Sequence, residues 1–221
     1  MSTPPIAVRR FGWQPQPYRP IWQAMKTFTS ERGPEDADAL WLLNHEPVFT
    51  QGRNGRAEHI LMPGDIEVVP IDRGGQVTYH GPGQIMAYVM VDLVRLGIGI
   101  RSLVSALENT MIATLAGYAI TAYARRDAPG VYVDGAKIGS IGLRVSRSKS
   151  YHGLALNVDM DLEPFSRIDP CGYHGLTMTQ IRDLGGPSDL DQVASDLSAH
   201  LGRELGIDAS SSPDPAADLI G

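Results

Sequence analysis

The sequence contains a single cysteine, Cys171, among 221 residues. One thiol cannot form an internal disulfide bond, and it cannot supply a cysteine-based zinc site alone. Any function of Cys171 is therefore that of a free thiol. Its neighbours Pro170 and Gly172 constrain the backbone on both sides, but a lone thiol is more often inert packing than a nucleophile. Its position alone leaves both interpretations open.

Lysine is also scarce, with three residues against sixteen arginines. Lys26 falls in a predicted helix and Lys149 in a polar loop, where lysines are ordinary surface residues. Lys137 lies instead in the apolar, glycine-rich segment AKIGSIG, two residues after an Asp-Gly turn. An ammonium group there could increase the thiolate fraction of a nearby thiol. Alternatively, its stem could pack along a strand while its head reaches water.

Net positive charge and long apolar segments are absent as well. The formal net charge is −6, which argues against a general nucleic-acid binder because such proteins carry a basic surface. The longest unbroken apolar run covers residues 85–91, whereas a membrane span needs roughly 20 residues. The first residues also lack the apolar region of a signal peptide. We expect a cytoplasmic protein that binds neither nucleic acid nor a membrane.

The chain length and a hydrophobic content of 43% suit one globular domain with an ample core. We assign residues 1–209 to this domain. The segment SSSPDPAADLIG, residues 210–221, is polar and contains proline. This composition predicts a flexible C-terminal tail.

Hydrophobic periodicity predicts many short strands and few helices. Apolar residues at helical spacing predict helices over residues 18–33, 102–115 and 190–205, with Ser102 as an N-cap. Short β-rich runs predict strands at residues 39–44, 67–72, 84–92, 131–133, 136–138, 142–146 and 151–159. Asp134-Gly135 is the expected hairpin turn between two of them. Because most strands follow one another through short turns, we expect an α+β fold with mixed β-sheets and flanking helices.

The stretch RGGQVTYHGPGQ, residues 73–84, joins two glycine-containing loops through a short β-like run. It lacks the spacing of a Walker loop and of a dinucleotide fingerprint. Arg73, Gly74 and Gly75 could offer backbone N–H groups beside a cation, or they could simply form a tight turn.

Six histidines are present, but none has the H-x₃-H or H-E-x-x-H spacing of a metal site. We therefore predict no metal. His80 and His152 each precede a glycine, so hydrogen-bond donors on a pocket wall are more plausible than ligands. A structural role for each of them is equally plausible.

Four motifs occur in order along the chain: RGGQVTYHGPGQIMAY, GAKIGSIGLRVSR, YHGLALNVD and PCG. Together with LNHEPVFTQGRNG, which begins at Leu43, they closely resemble the lipoyl(octanoyl) transferases, the octanoyltransferases of lipoate biosynthesis. The resemblance runs to Cys171 and so covers most of the chain.

This resemblance implies the fold of biotin and lipoate protein ligase catalytic domains, with residues 1–209 as one catalytic domain. It implies transfer of octanoate from octanoyl-acyl carrier protein to a lysine of lipoyl domains, the first step of endogenous protein lipoylation. The acceptors would be lipoyl domains of 2-oxoacid dehydrogenase complexes and the glycine cleavage H protein. Neither ATP, a metal nor another cofactor is implied.

The resemblance also assigns residues. In such enzymes a cysteine forms an acyl-thioester intermediate and a neighbouring lysine lowers its pKa; these catalytic roles fall on Cys171 and Lys137. The acyl pocket of the family corresponds here to three segments. They comprise Arg73, Gly74, Gly75, Gln76, Val77, Thr78, Tyr79, His80, Ser140, Ile141, Gly142, Gly153, Leu154 and Ala155.

The segment LRVSRSKS concentrates positive charge at Arg144, Arg147 and Lys149. It could receive an acidic carrier domain, or it could be an ordinary solvated surface.

Two other functions of the whole protein stay open. An ATP-dependent lipoate or biotin ligase of the same fold would not need the Cys171 and Lys137 pair. A non-catalytic protein that binds acyl groups or carriers would form no acyl-enzyme.

Overall fold

The computed structural model describes residues 6–208, apart from the side chain of Cys171. The tail predicted at residues 210–221 lies outside this range. The strands in chain order are β1 (Ile6–Arg10), β2 (Asp38–Leu43), β3 (Val48–Gln51), β4 (Glu67–Pro70), β5 (Val77–His80), β6 (Gln84–Met90), β7 (Tyr123–Ala124), β8 (Gly130–Val133), β9 (Ala136–Ser146) and β10 (Lys149–Asn157). The α-helices are α1 (Tyr18–Glu31), α2 (Leu93–Leu96), α3 (Ile100–Ala116) and α4 (Leu190–Leu205).

The strands form two sheets. The larger has the order β1-β2-β6-β10-β9-β8-β7, and the smaller has the order β4-β3-β5. The pairs β1–β2 and β3–β4 are parallel, while the other pairs are antiparallel. The predicted α+β class with mixed sheets is confirmed.

Two predictions about these elements are wrong: the start of α3, and the division of β9 into two strands. Helix α3 begins at Ile100 after Gly99, which has extended backbone angles, so Ser102 lies inside the helix and is not its N-cap. The apolar pattern that suggested the later start begins only at Leu103. The two strands predicted at residues 136–138 and 142–146 are one strand, β9. Its glycines do not interrupt it because β10 pairs with it continuously from Gly139 to Ser146.

The larger sheet is buried on both faces. On β6, Ile85, Ala87 and Val89 point into the main core against α3 and α4. The alternate residues Met86 and Tyr88 point to the opposite face, where α1 packs. Alternation along a strand thus divides an apolar sequence between two layers.

A cavity is lined by β5 of the smaller sheet and by β6, β9 and β10 of the larger one. No helix within residues 6–208 combines the length and the apolar character needed to cross a membrane.

Candidate active site

A cavity of about 460 Å³ lies on the α1 face of the larger sheet. This volume falls in the range of small-molecule sites. Its walls come from β5, β6, β9 and β10, from the loop that precedes β5, from Tyr18 of α1, from Ile100 and Val104 of α3, and from residues 127–129 and Tyr173. Of the fourteen residues assigned to the acyl pocket, twelve line this cavity.

The two exceptions are Val77 and Tyr79, and their assignment to the pocket wall was wrong. Gln76, just before β5, and the alternate residues Thr78 and His80 on it line the cavity. Val77 and Tyr79 point to the other side of the strand, into a separate apolar cluster around Phe49 and Phe165. A continuous motif had been assigned to one wall, although successive side chains of a strand face opposite sides.

The cavity floor consists of small residues on β9 and β10. Ser140 pairs with Ala155, and Gly142 pairs with Gly153. Because alternate residues share one face of a sheet, these four leave that face almost bare of side chains. Their small size explains the space above the sheet. Ile141 and Leu154 also line the cavity, although their side chains pack with the main core.

Arg73 fixes the glycine-containing loop beside the floor. Its guanidinium donates to the carbonyl of Thr50 at 2.7 Å, to the hydroxyl of Thr50 at 2.9 Å, and to the carbonyl of Gly74 at 2.9 Å. A Cβ added to Gly142 would lie 2.6 Å from Cδ of Arg73, so the arginine stem covers this glycine. The N–H of Gly74 donates to the carbonyl of Leu143 at 2.9 Å. The loop is thereby attached to β9.

Lys137 is not itself a lining residue, but it lies next to one end of the cavity with no exposure to solvent. Its Nζ donates to the carbonyl of Pro129, a lining residue, at 3.0 Å and lies 5.4 Å from the ring centre of Tyr132. The alternative in which the lysine head reaches water is therefore wrong.

The three successive carbonyls of residues 127–129 each accept a hydrogen bond from a side chain. Tyr173 binds the first at 2.9 Å, Tyr132 the second at 2.9 Å and Lys137 the third at 3.0 Å. These contacts draw together β8, β9 and the segment after Cys171. We call this part of the cavity the near end.

Cys171 occupies a 3₁₀ turn, Pro170–Gly172. The N–H of Asp169 donates to the carbonyl of His59 at 2.8 Å, which attaches the start of this turn to the segment between β3 and β4. Gly172 has φ +77°, and a Cβ there would collide with the amide of Gln76. Gly172, the residue after Cys171, therefore lies against the lining residue Gln76 and directly before Tyr173, which also lines the cavity. The two residues predicted from sequence as catalytic thus belong to segments that border the same cavity.

A directed chain of buried hydrogen bonds links Arg73 to the segment beside Lys137. The hydroxyl of Thr50 accepts from Arg73 and donates to Nε2 of His80 at 3.1 Å, while Nδ1 of His80 donates to Gln84 at 2.8 Å. We assign this tautomer from the partners.

From Gln84 the chain continues to the main chain of the near end. Its amide donates to Asn157 at 2.9 Å, and Asn157 donates to the carbonyl of Thr179 at 3.0 Å. The N–H of Thr179 donates to the carbonyl of Lys137 at 3.0 Å. A network with every member paired fixes one arrangement of the near end.

His80 and His45 are both buried in neutral form. Burial lowers the pKa of His80 to about 3 and that of His45 to about 4. Nδ1 of His45 donates to the carbonyl of Gln16 at 2.9 Å, so its Nε2 accepts from the hydroxyl of Tyr88 at 2.6 Å. The lining residues Tyr18 and Tyr88 were missed by sequence reasoning, since Tyr88 lies in a mainly apolar strand and Tyr18 begins a helix whose buried stripe is mainly apolar.

We call the opposite part of the cavity, which His152 lines, the far end, and the imidazole there is bound by the carboxylate of Asp72. This carboxylate accepts from Nε2 of His152 at 3.0 Å, from Nε1 of Trp22 at 3.0 Å and from the hydroxyl of Tyr151. Burial alone would raise the pKa of Asp72, but these donors outweigh it and hold the pKa well below its usual value. Burial lowers the pKa of His152, so a neutral imidazole donates to a charged carboxylate.

Within the described residues, no three His, Cys, Asp or Glu side chains are grouped so as to hold a metal ion. The expectation that the reaction needs no metal or cofactor stays a prediction.

The two sheets and their flanking helices have the fold of lipoate and biotin protein ligases. The solved structures with this fold include the bi-partite lipoate protein ligase of an archaeal lipoylation system from Thermoplasma acidophilum. It has a TM-score of 0.79 and 15% identity, over 98% of this chain and 91% of that one. Biotin protein ligase from Aquifex aeolicus, in complex with biotin and ATP, has a TM-score of 0.54 and 11% identity, over 90% of this chain and 70% of that one.

The sequence narrows this class. Residues 17–202 match the family of the lipoyl protein ligase A/B catalytic domain. An octanoyltransferase of Pseudomonas entomophila is 62% identical over 200 residues, which cover 90% of this chain and 92% of that relative. The chain belongs to the lipoyl protein ligase A/B catalytic domain family, and the resemblance to octanoyltransferases is confirmed.

Proposed function

We propose that the protein transfers an octanoyl group from octanoyl-acyl carrier protein to a lysine of lipoyl domains through a thioester on Cys171. The observation that carries the proposal is the fully buried ammonium of Lys137 at the cavity end bordered by the Cys171 turn. The name shared by the close relatives supports octanoyl as the acyl group. The acceptors are the lipoyl domains of 2-oxoacid dehydrogenase complexes and the glycine cleavage H protein.

In the first half-reaction, the thiolate of Cys171 attacks the thioester carbonyl carbon of the carrier. The bond from that carbon to the pantetheine sulfur breaks, and the ammonium of Lys137 gives the leaving sulfur a proton. The products are acyl-Cys171, a free carrier thiol and a neutral Lys137. The carbonyl of Pro129 keeps Nζ in place during this change, since it can accept from either form.

In the second half-reaction, the acceptor lysine attacks the acyl-enzyme as a neutral amine. The bond to the sulfur of Cys171 breaks, and the amine's proton passes to Lys137. The thiolate and ammonium are regenerated together. Backbone N–H groups of the loop before β5 stabilise the oxyanion of each step. Gly74 is not among them, because its N–H is already bonded to Leu143.

The carrier docks at the hairpin between β9 and β10. Arg147 and Ser148 form its two-residue turn with φ of +48° and +64°, and Arg147 is exposed. Lys149 contributes less, because its ammonium donates to the carbonyl of Arg32. Arg144 and Arg147 therefore supply the positive charge that attracts an acidic carrier. The reaction needs no cofactor and takes place in the cytoplasm.

Intact-mass spectrometry tests this function. Purified protein incubated with octanoyl-acyl carrier protein should gain the mass of one octanoyl group, and Cys171→Ser should gain none. Addition of a lipoyl domain should then discharge the acyl-enzyme without ATP. Unchanged mass under turnover conditions would contradict the thioester. Transfer that depends on ATP would instead identify a ligase, like the biotin ligase that shares the fold.

A further inference from the structure

The floor of the cavity has a defined length. Its members are Ser140, Gly142, Gly153 and Ala155, which are all small and belong to the paired strands β9 and β10. The next pair on the same face is Arg144 with Tyr151. Because both of these side chains are large, the bare part of the sheet ends there.

His152 closes the far end above this boundary. Its φ of +63° is unusual for a residue other than glycine, and it breaks the alternation of β10. The imidazole lines the cavity, is only 2% exposed, and donates to Asp72 at 3.0 Å. Asp72 is in turn held by Trp22 and Tyr151. The ring is therefore a fixed polar wall, and moving it would leave a partly buried carboxylate without one of its donors.

The register of the strands gives the distance between the two ends. Nζ of Lys137 lies beside Gly130, since a Cβ added there would be 3.1 Å from it, and Gly130 pairs with Ser140. His152 pairs with Leu143, three residues farther along β9 than Ser140. At roughly 3.3 Å per residue the separation is about 10 Å. With carbon–carbon bonds of about 1.5 Å and angles near 111°, an extended eight-carbon chain is about 9 Å long.

We propose that His152, held by Asp72, limits the length of the acyl chain and so selects octanoyl over longer groups. This inference rests on the proposed function, because it takes the reacting carbonyl to lie beside Lys137. A ninth or tenth carbon would meet an imidazole and not an apolar surface. It would gain no burial energy unless the bond between His152 and Asp72 broke.

The test compares chain lengths in two variants. Glycine adopts positive φ readily, so His152→Gly removes the wall without straining the backbone. His152→Asn suits the same backbone and keeps a donor for Asp72, but it is shorter than histidine. Each newly buried methylene is worth about fourfold in transition-state binding. We expect the ratio of kcat/KM for decanoyl over octanoyl substrate to rise by about tenfold in His152→Gly, and by less in His152→Asn.

Tyr151→Phe is the matched control. It removes another donor from Asp72 without emptying the cavity, because Tyr151 is not a lining residue. Its decanoyl-to-octanoyl ratio should equal that of the wild type. An unchanged ratio in both folded His152 variants, or an equal rise in Tyr151→Phe, would overturn the inference.

Failure of the proposed function would look different, because the wild type would then transfer no acyl chain of any length. The affinities of the wild type and His152→Gly for octanoic and decanoic acid, measured by calorimetry, give the same comparison without turnover. A decanoic acid preference that is equal in both proteins would again overturn the role of His152.

Discussion

Three side-chain donors lie at each end of the cavity, but the acceptors that they bind are of different kinds. At the near end, Tyr173, Tyr132 and Lys137 donate to three successive main-chain carbonyls. At the far end, three donors share the single carboxylate of Asp72. A carbonyl orients a donor without bringing a charge, whereas a carboxylate concentrates negative charge and binds its donors more strongly.

This difference indicates what each end is suited to do. The near end holds a lysine in place through a group that tolerates both of its protonation states, as proton transfer requires. The far end has no such freedom, because each of its donors is needed to offset a partly buried carboxylate. We expect substitutions at the near end to reduce the rate, and substitutions among the polar residues toward the far end to alter selectivity and stability.

The largest effect should follow from Lys137→Arg. The variant keeps positive charge, but a guanidinium cannot accept a proton at neutral pH. If Lys137 is the general acid and base, kcat should fall by roughly 10² to 10⁴-fold. Steady-state assays with octanoyl-acyl carrier protein and a lipoyl domain measure this. A full rate in the variant would show that only the charge matters.

Lys137→Met separates a chemical role from a structural one. Methionine has a similar length and suits a buried site, so urea unfolding should show a stability close to that of the wild type. The same loss of kcat in a stably folded Lys137→Met protein would support the chemical role. A large loss of stability would show that the rate falls because the variant is misfolded.

A smaller effect should follow from Gly130→Ala, which disturbs Lys137 without replacing it. Gly130 has φ +133°, and a Cβ there would lie 2.5 Å from the carbonyl oxygen of Gly139 and 2.6 Å from Cε of Lys137. The lysine must therefore shift, and a displaced catalytic group can cost on the order of 10²-fold in rate. We also expect a loss of roughly 1–3 kcal/mol in the free energy of unfolding from the strained backbone.

Gly97→Ala provides the control for Gly130→Ala. Gly97 also has positive φ, at +65°, but nothing lies within 4 Å of an added Cβ. This variant should lose about 1 kcal/mol of stability and keep the wild-type kcat. Equal losses of kcat in the two variants would show that the effect of Gly130→Ala does not pass through Lys137.

The sequence was sufficient to predict the fold class and the segments that meet at the cavity. Lys137 could be singled out because a lysine within an apolar, glycine-rich run has few ordinary explanations. The small residues Ser140, Gly142, Gly153 and Ala155 were found through motifs. Val77 and Tyr79 were misassigned because a motif is continuous in sequence, whereas a strand distributes its side chains over two faces.

The sequence predicted His152 as a hydrogen-bond donor on a pocket wall, but its partner Asp72 could not be predicted. Asp72 lies about 80 residues before its partner His152, and the strand order that brings them together depends on long-range pairing. The positive φ of His152 could not be predicted either, because the local sequence does not indicate it. Tyr88 was overlooked because it occurs among apolar residues of a strand, and Tyr18 because it begins a helix whose apolar stripe fills a core. Contacts of this kind are set by tertiary structure.

The smallest effect concerns the hydrogen-bonded chain that runs from Arg73 through Thr50 and His80 to Gln84, and it is a change in the pH dependence of stability. His80 has a pKa of about 3 in the folded protein because burial disfavours its charged form, against an ordinary value of 6.5. Between these values the unfolded chain binds the extra proton. The free energy of unfolding is therefore fully retained above pH 6.5 and is lost as the pH falls toward 3, by up to about 1.4 kcal/mol per pH unit for each such histidine.

His80→Gln removes one of these groups, and His45 remains as another. Urea unfolding between pH 6.5 and 4.5 should show a slope of stability against pH that is smaller than the wild-type slope by about 1 kcal/mol per unit. Parallel slopes for the wild type and His80→Gln would mean that His80 is not held neutral by burial. The neutral tautomer assigned to His80 would then have to be replaced by a charged imidazole that donates from both ring nitrogens.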